Sequence, residues 1–427
     1  MELTNNVKRA PFKSLWAALI VIIAIIAGTF SSIFSYAALL LSLMAILTLS
    51  EEDAVCFLTF IMSFANIFKS SPEAQSFFTY LLLFYVLWAL FKRGRMDTNF
   101  LLSLTFLVAF LAAQSLISFH AFRLIKFLAN ILFIYIAINT SMQGGNKKLY
   151  LSYVLGTALS SLTAALNIIP NQIKYIGSKD LGILYDDLVR FSGLYGDPNY
   201  YSVNLIISLC LIVVLHHKKQ LGATAALLLS ALMVGFAVMT VSKSAFLMLL
   251  LPLLMLLYSK IKSRKYFAFA VLLIIGAGLA ISILAGKIEL LDPLLSRFEA
   301  GNLTTGRADL WKNYADYFQK NPLNFIFGVG FGGALVGVKA AHNTYIDILY
   351  YLGLVGTIPL IAVFVAITNK QKSIGRRNLL NYGVILCIMF MYFFLSELFY
   401  FDWAFHIMIA ILVAKMNMGH DAEGMNV

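Results

Sequence analysis

Residues 221–258 read "LGATAALLLSALMVGFAVMTVSKSAFLMLLLPLLMLLY". The only charged side chain in these 38 residues is Lys243. A helix rises about 1.5 Å per residue, and roughly 20 apolar residues cross the hydrocarbon of a bilayer. The stretch is long enough to cross twice, with the lysine at the turn. Similar runs recur along the chain. The candidate spans are 15–31, 33–49, 54–69, 75–92, 99–119, 121–140, 149–169, 201–216, 221–241, 243–258, 265–286, 343–368, 379–400 and 402–415. Several are short, so the expected count is 12–14. The chain is 61% hydrophobic and only 12% charged, against about 25% charged in soluble proteins. The runs lack the ten-residue alternation of an outer-membrane barrel. The expected fold is an all-α polytopic membrane protein.

The basic residues suggest an orientation. With the N-terminus in the cytoplasm and spans alternating, nineteen of the 32 Lys and Arg fall on short inner segments. They include Lys8, Arg9 and Lys13, Lys92, Arg93 and Arg95, Lys147 and Lys148, and Arg376 and Arg377. This is the positive-inside bias of short loops, and it accounts for a net charge of +12 without nucleic acid. The remaining cations lie mostly in two long loops, 170–200 and 287–342, which fall outside. There they oppose the bias and ask for another explanation. No small-residue cleavage site ends the first apolar run, so it reads as a retained span. No repeat or soluble domain interrupts residues 1–427, and residues 416–427 read as a short, disordered cytoplasmic tail. Cys56, Cys210 and Cys387 each lie in an apolar run with no nearby partner in sequence. They read as small buried hydrophobes rather than as a disulfide or zinc site.

The first long loop ends in "VRFSGLYGDPNYYS", residues 189–202. Asp197-Pro198-Asn199 reads as a turn that caps the next span. Arg190 precedes that span and reads either as a headgroup arginine or as an anion ligand. Tyr195, Tyr200 and Tyr201 suit sugar stacking or an aromatic belt. The second loop contains "TTGRADLWKNYADYFQKNP". Thr304 or Thr305 can cap a helix that begins near Gly306 and ends at Pro322. Its apolar face, Leu310, Tyr314, Tyr317 and Phe318 with Trp311 beside them, is expected to lie on the outer membrane surface. Arg307 falls in the first turn, where the helix dipole favours anions; a bound phosphate would resolve that conflict. "FGVGFGG", 327–333, lacks the strand–helix context of a dinucleotide site. It reads as a flexible loop beside a site. His342 opens the next span and has the side chain best suited to proton transfer near neutrality. Arg123 and Lys126 are weaker outer-face cations. Cations that exceed the local need suggest an anionic lipid headgroup.

Together these residues resemble the bacterial O-antigen ligase and O-antigen/capsule polymerase family. "HNTYIDILYYLGLVG" fits that family's H-[NSQ]-x9-G-x-x-[GTY] pattern through His342, Asn343, Gly353 and Gly356. "RFSGLYGDPN" is similar to its R-x-x-G followed by P-N, and "TGRADLW" to its T-G-R-x-x-x-W. "SKS" stands where many members have S-R, which keeps a cation but loses bidentate geometry. The resemblance covers about residues 150–370. It implies a GT-C-type, metal-independent, inverting glycosyltransferase that takes a glycan from an undecaprenyl-diphosphate donor. His342, Arg307 and Arg190 are the implied catalytic residues, and Lys243, Asn343, Asn199 and Tyr195 the expected substrate-binding set. The acidic pair Asp186-Asp187 is a weak metal candidate. A polymerase is favoured over an O-antigen ligase acting on lipid A core, because every surface-polysaccharide locus needs its own polymerase. A chain-length regulator and a flippase would be its partners. A transporter would instead predict repeats and charges within spans. A scaffold would need no basic–histidine cluster.

Overall fold

The computed structural model describes residues 13–71, 74–140, 146–168, 191–240, 242–261, 306–334, 336, 340–369, 379–396 and 398–414. Among them are sixteen α-helices and no strand. The first seven are α1 (Lys13–Gly28), α2 (Ser32–Thr48), α3 (Glu51–Ile61), α4 (Phe77–Arg93), α5 (Thr98–Ser115), α6 (Ala121–Asn139) and α7 (Lys147–Ala165). Then follow α8 (Pro198–His217), α9 (Ala223–Met239), α10 (Lys243–Met248) and α11 (Leu250–Ile261). The last five are α12 (Arg307–Lys320), α13 (Pro322–Phe327), α14 (Thr344–Asn369), α15 (Leu379–Met391) and α16 (Phe401–Ala414). Four of them, α5, α6, α8 and α14, are long and apolar enough to cross a membrane alone. Stripes of exposed Ile, Leu and Phe, such as Leu227 at 70% and Ile358 at 67%, face outward. In water such stripes would be a liability; against acyl chains they are the solvent-facing surface. The protein is an all-α polytopic membrane protein. The expected span 265–286, and Arg190, Asp186, Asp187, Thr304 and Thr305, lie outside the described residues.

Helix α8 is the central pillar. It packs against α7, α9, α11 and α15, and residues 201–215 are buried without a break. Its few polar positions are therefore matched inside the bundle. The Tyr153 hydroxyl donates to Asn204 Oδ1 at 2.5 Å, and His406 Nε2 lies 3.1 Å from that hydroxyl and 3.2 Å from the same oxygen. An unmatched group in apolar surroundings costs about 1–3 kcal/mol. Asn204→Leu is expected to lower the melting temperature in detergent, while Asn204→Asp, which keeps the acceptor, should lower it less. The three cysteines are free and buried, but Cys210 and Cys387 are neighbours across the α8–α15 contact.

Charged helix ends gather at one end of the bundle. Ser50 caps α3 through the Asp53 amide. Glu51 pairs with Arg93 at 2.6 Å, and Asp53 with Lys148 at 3.5 Å. Arg93 also donates to Thr140 at the end of α6. The segments assigned to one side by the charge pattern therefore meet.

Three expectations about helices change. Span 54–69 ends as an α-helix at Ile61 and continues as a 3-10 turn at Met62–Phe64; the Ser76 hydroxyl caps α4 by accepting from the Phe78 amide and donates to Ala65 O at 2.5 Å. Span 379–400 ends as a helix at Met391, and the described residues that follow, 392–396 and 398–400, are irregular. The surface helix ends at Lys320, and Pro322 begins the next helix rather than ending this one. Proline suits a first helical position, where its missing N–H is no loss.

Candidate active site

The opposite end of the bundle gathers the motif residues. Asp197 caps α8 by accepting from the Asn199 amide at 2.6 Å, with Pro198 in the first turn. The Asn199 side chain turns to the next motif: its Oδ1 accepts from Ser242 Oγ at 3.0 Å. Ser242 in turn caps α10 through the Ala245 amide and places Lys243 at the first helical position. The Phe191 amide donates to Met239 O at 3.0 Å. The chain flanking Arg190 is thus tied to the end of α9, just before the lysine turn. One hydrogen-bonded cluster unites the first loop and the "SKS" turn.

A second cluster surrounds His342. Its backbone is left-handed, at φ 48°, a conformation rare for a residue with a side chain. Contacts on both sides enforce it. The Ala341 carbonyl accepts from Trp311 Nε1 at 3.0 Å. Asn343 caps α14, its Oδ1 accepting from the amides of Tyr345 and Ile346 at 3.0 and 3.1 Å. Thr344 donates through its amide to Tyr392 O at 2.8 Å and through its hydroxyl to Leu395 O at 2.6 Å. Arg307 opens α12 after Gly306, and its guanidinium lies 5.5 Å from the centre of the Phe394 ring. Loss of a cap costs about 1 kcal/mol. Asn343→Ala should therefore lower thermal stability by that order, and Asn343→Asp should restore it.

The irregular 392–396 segment joins the two clusters. The Tyr200 hydroxyl donates to Ser396 O at 2.9 Å and accepts from the Ser396 amide at 3.2 Å. The segment that carries Phe394 against Arg307 and binds Thr344 is therefore also fixed to the start of α8. Nothing in its apolar sequence announced this role.

Several residues differ from their expected roles. Tyr195 is buried against Tyr201, with ring centres 5.9 Å apart. The Tyr201 hydroxyl donates to Ser161 Oγ at 2.6 Å. These tyrosines pack within the protein: Tyr195 and Tyr201 are buried, and the Tyr200 hydroxyl is tied to Ser396. Asn343 and Asn199 spend their side-chain oxygens on the cap and on Ser242. The apolar face of α12 does not lie on lipid. Tyr314 is buried, and its ring centre lies 5.2 Å from that of Tyr350; Tyr317 and Phe318 crowd the same ring. Burial pushes the Tyr314 hydroxyl well above the ordinary tyrosine range.

The glycine loop is pinned rather than flexible. The Val329 and Gly330 amides donate to Tyr350 O and Tyr351 O at 2.9 and 3.1 Å. Those carbonyls are available because α14 breaks at Gly353, φ 65° and ψ −177°. Gln114 of α5 donates to Tyr351 O at 3.0 Å and also to Phe327 O. The Tyr350 hydroxyl donates to Ala334 O. Arg123 completes the anchor by donating to Phe331 O at 2.9 Å, between the Tyr351 and Phe399 rings.

Residues 225–361 match Wzy_C, the O-antigen ligase family. This supports an O-antigen ligase/Wzy-like family for the chain, over about a third of its length. The Wzy_C segment runs from α9 into α14 and contains Lys243, Arg307, His342, Asn343 and Gly353. Asn199 and Tyr195 precede it but reach it through Ser242 and the α8 start. No curated protein and no solved structure gave a match.

Proposed function

We propose that the protein is a surface-polysaccharide polymerase of the inner membrane. It joins oligosaccharide repeat units carried on undecaprenyl diphosphate at the outer face. The observation that carries this reading is the cation–histidine constellation at one end of the bundle: Lys243, Arg307 and His342, tied together by the 392–396 segment. The face with Glu51, Arg93 and Lys148 carries the short basic loops and is the cytoplasmic one on the positive-inside rule. The site at the far ends of the same helices is then external.

The chemistry is a displacement at the anomeric carbon of the donor glycan. The bond from that carbon to the carrier diphosphate breaks, and its electron pair leaves with the diphosphate. A hydroxyl of the acceptor repeat unit forms the new glycosidic bond and gives its proton to His342. Arg307 and Lys243, with Arg190, hold the diphosphate and offset the charge that grows on it as it leaves. A single attack inverts the anomeric configuration and needs no protein nucleophile or metal. The left-handed turn at His342, tied to α12 by the Trp311–Ala341 hydrogen bond, supports the preorganisation such a step rewards.

Arg307→Ala is expected to lower polymer output about 10²–10³-fold, the range for removing a preorganised charge-stabilising donor. Arg307→Lys should recover part of it. In cells the readout is the surface polysaccharide. A polymerase defect leaves lipid A core capped with one repeat unit, whereas a ligase defect leaves it bare, with polymer stranded on the carrier. Wild-type chain lengths with Arg307→Ala would refute the assignment.

A further inference from the structure

Trp311 stands apart from the other aromatic side chains of α12. Tyr314, Tyr317 and Phe318 all pack on the Tyr350 ring. Trp88 and Trp403, elsewhere in the bundle, likewise lie against other rings. The Trp311 ring is only partly exposed, yet among the described residues no ring or cation lies against it. Nor does it join the buried apolar core that takes Tyr317 and Phe318. Burying a large aromatic side chain removes about 150–250 Å² from water. An indole face left uncovered inside the motif cluster is therefore available to a ligand.

The edge of the ring, by contrast, is fixed. Its Nε1–H donates to Ala341 O at 3.0 Å, so the indole stands beside the residue that precedes His342. Arg307 lies one turn earlier on α12 and shares that helix face. The indole is thus flanked by the proposed diphosphate cation on its own helix and by the His342 turn across from it. A donor glycan has to bridge the same two groups. Its first sugar is bonded through the anomeric carbon to the diphosphate, and the acceptor hydroxyl that loses its proton attacks that carbon. One sugar ring therefore lies between the two. A pyranose presents a face of C–H groups and a rim of hydroxyls; the face packs on an indole while the rim keeps its hydrogen bonds. A stiff side chain with an anchored edge makes that contact at little cost in conformational entropy.

We infer that Trp311 is the platform on which the first pyranose of the donor glycan stacks. The inference rests on reading Arg307 as a diphosphate ligand, and it deepens that reading by naming the sugar subsite beside it. The stack reads the C–H face rather than one particular hydroxyl. It therefore orients the anomeric carbon between Arg307 and His342 and leaves sugar identity to other contacts.

The test compares two probes. Full-length protein in micelles of octaethylene glycol monododecyl ether, which carry neither sugar nor phosphate, is titrated with farnesyl diphosphate and with farnesyl diphosphate bearing N-acetylglucosamine. Wild type should bind the sugar-bearing probe about tenfold more tightly, the order contributed by one stacked ring. Trp311→Leu should bind both probes alike, with its affinity for bare farnesyl diphosphate unchanged. Trp311→Phe lacks the Nε1 donor but keeps an aromatic face, and should keep most of the preference. Should Trp311→Leu fail to fold, Trp311→Gln takes its place, because its amide offers Ala341 O a donor without a ring. Equal affinity of wild type for the two probes overturns the inference, and so does a preference that survives in Trp311→Leu. Equal weakening of both probes in Trp311→Leu, or loss of the preference in Trp311→Phe, also overturns it, since Trp311 would then only prop the His342 turn. Arg307→Ala should weaken both probes by the same factor. Its failure to weaken either would count against the diphosphate site and leave the Trp311 preference standing.

Discussion

His342→Ala is expected to reduce the rate of glycan transfer about 10²–10⁴-fold, the usual contribution of a positioned general base. Alanine alone is an imperfect probe, because residue 342 adopts φ 48° and the turn itself orders its surroundings. Asparagine tolerates that conformation better than most residues. His342→Asn should therefore keep the turn, the Asn343 cap and the Trp311 contact, yet lack a base of suitable strength. Both variants should keep the wild-type melting temperature within a few degrees and lose transfer alike. A His342→Asn protein with wild-type rate would show that residue 342 serves as a turn former and that another group takes the proton. The assay is transfer by purified protein, with donor binding measured in parallel.

The second large effect concerns Gly353, which the motif pairs with His342. At φ 65° and ψ −177° the residue occupies a region that is essentially restricted to glycine. A Cβ there would lie 2.3 Å from Gly328 N and 2.5 Å from Ile326 O, which are backbone atoms that cannot swing aside. Gly353→Ala should cost about 3 kcal/mol or more, adding conformational strain to overpacking. It should release the glycine loop and with it the approach to His342. Gly356 offers a comparison. Its Cβ would meet the side-chain ring of Phe110 at 2.2 Å, and a ring can rotate. Gly356→Ala should therefore be clearly the milder of the two. Melting temperature in detergent checks the order, and equal losses would contradict this account of the kink.

The span pattern was legible because bilayer crossing demands long apolar runs, and "LGATAALLLSALMVGFAVMTVSKSAFLMLLLPLLMLLY" divides at Lys243 as its single charge suggests. Asp197 as a cap was legible for a similarly local reason: a short acceptor side chain before a proline is a start signal. The 392–396 segment was not legible. "YFFLS" is as apolar as the helix before it, and what unwinds it is tertiary: Thr344 claims two of its carbonyls and Tyr200 claims Ser396. Non-helical backbone at this depth survives only when the protein itself supplies such partners. The glycine loop was misread for a related reason. Its glycines permit close approach to the broken α14, and that contact cannot be seen in local sequence. The tyrosines of the first loop likewise carry no mark that distinguishes a buried anchor from an interfacial belt.

The central claim is that two carrier-linked units are joined to each other. The direct measurement is incubation of the purified protein with one substrate only, a synthetic repeat unit on undecaprenyl diphosphate, with no lipid A core present. The products are separated by chain length, and the released carrier is counted. The account predicts a ladder in which every chain retains one carrier diphosphate, with one free undecaprenyl diphosphate released per bond formed and no ladder from His342→Asn. No elongation until lipid A core is supplied, or an unchanged ladder from His342→Asn, would contradict it.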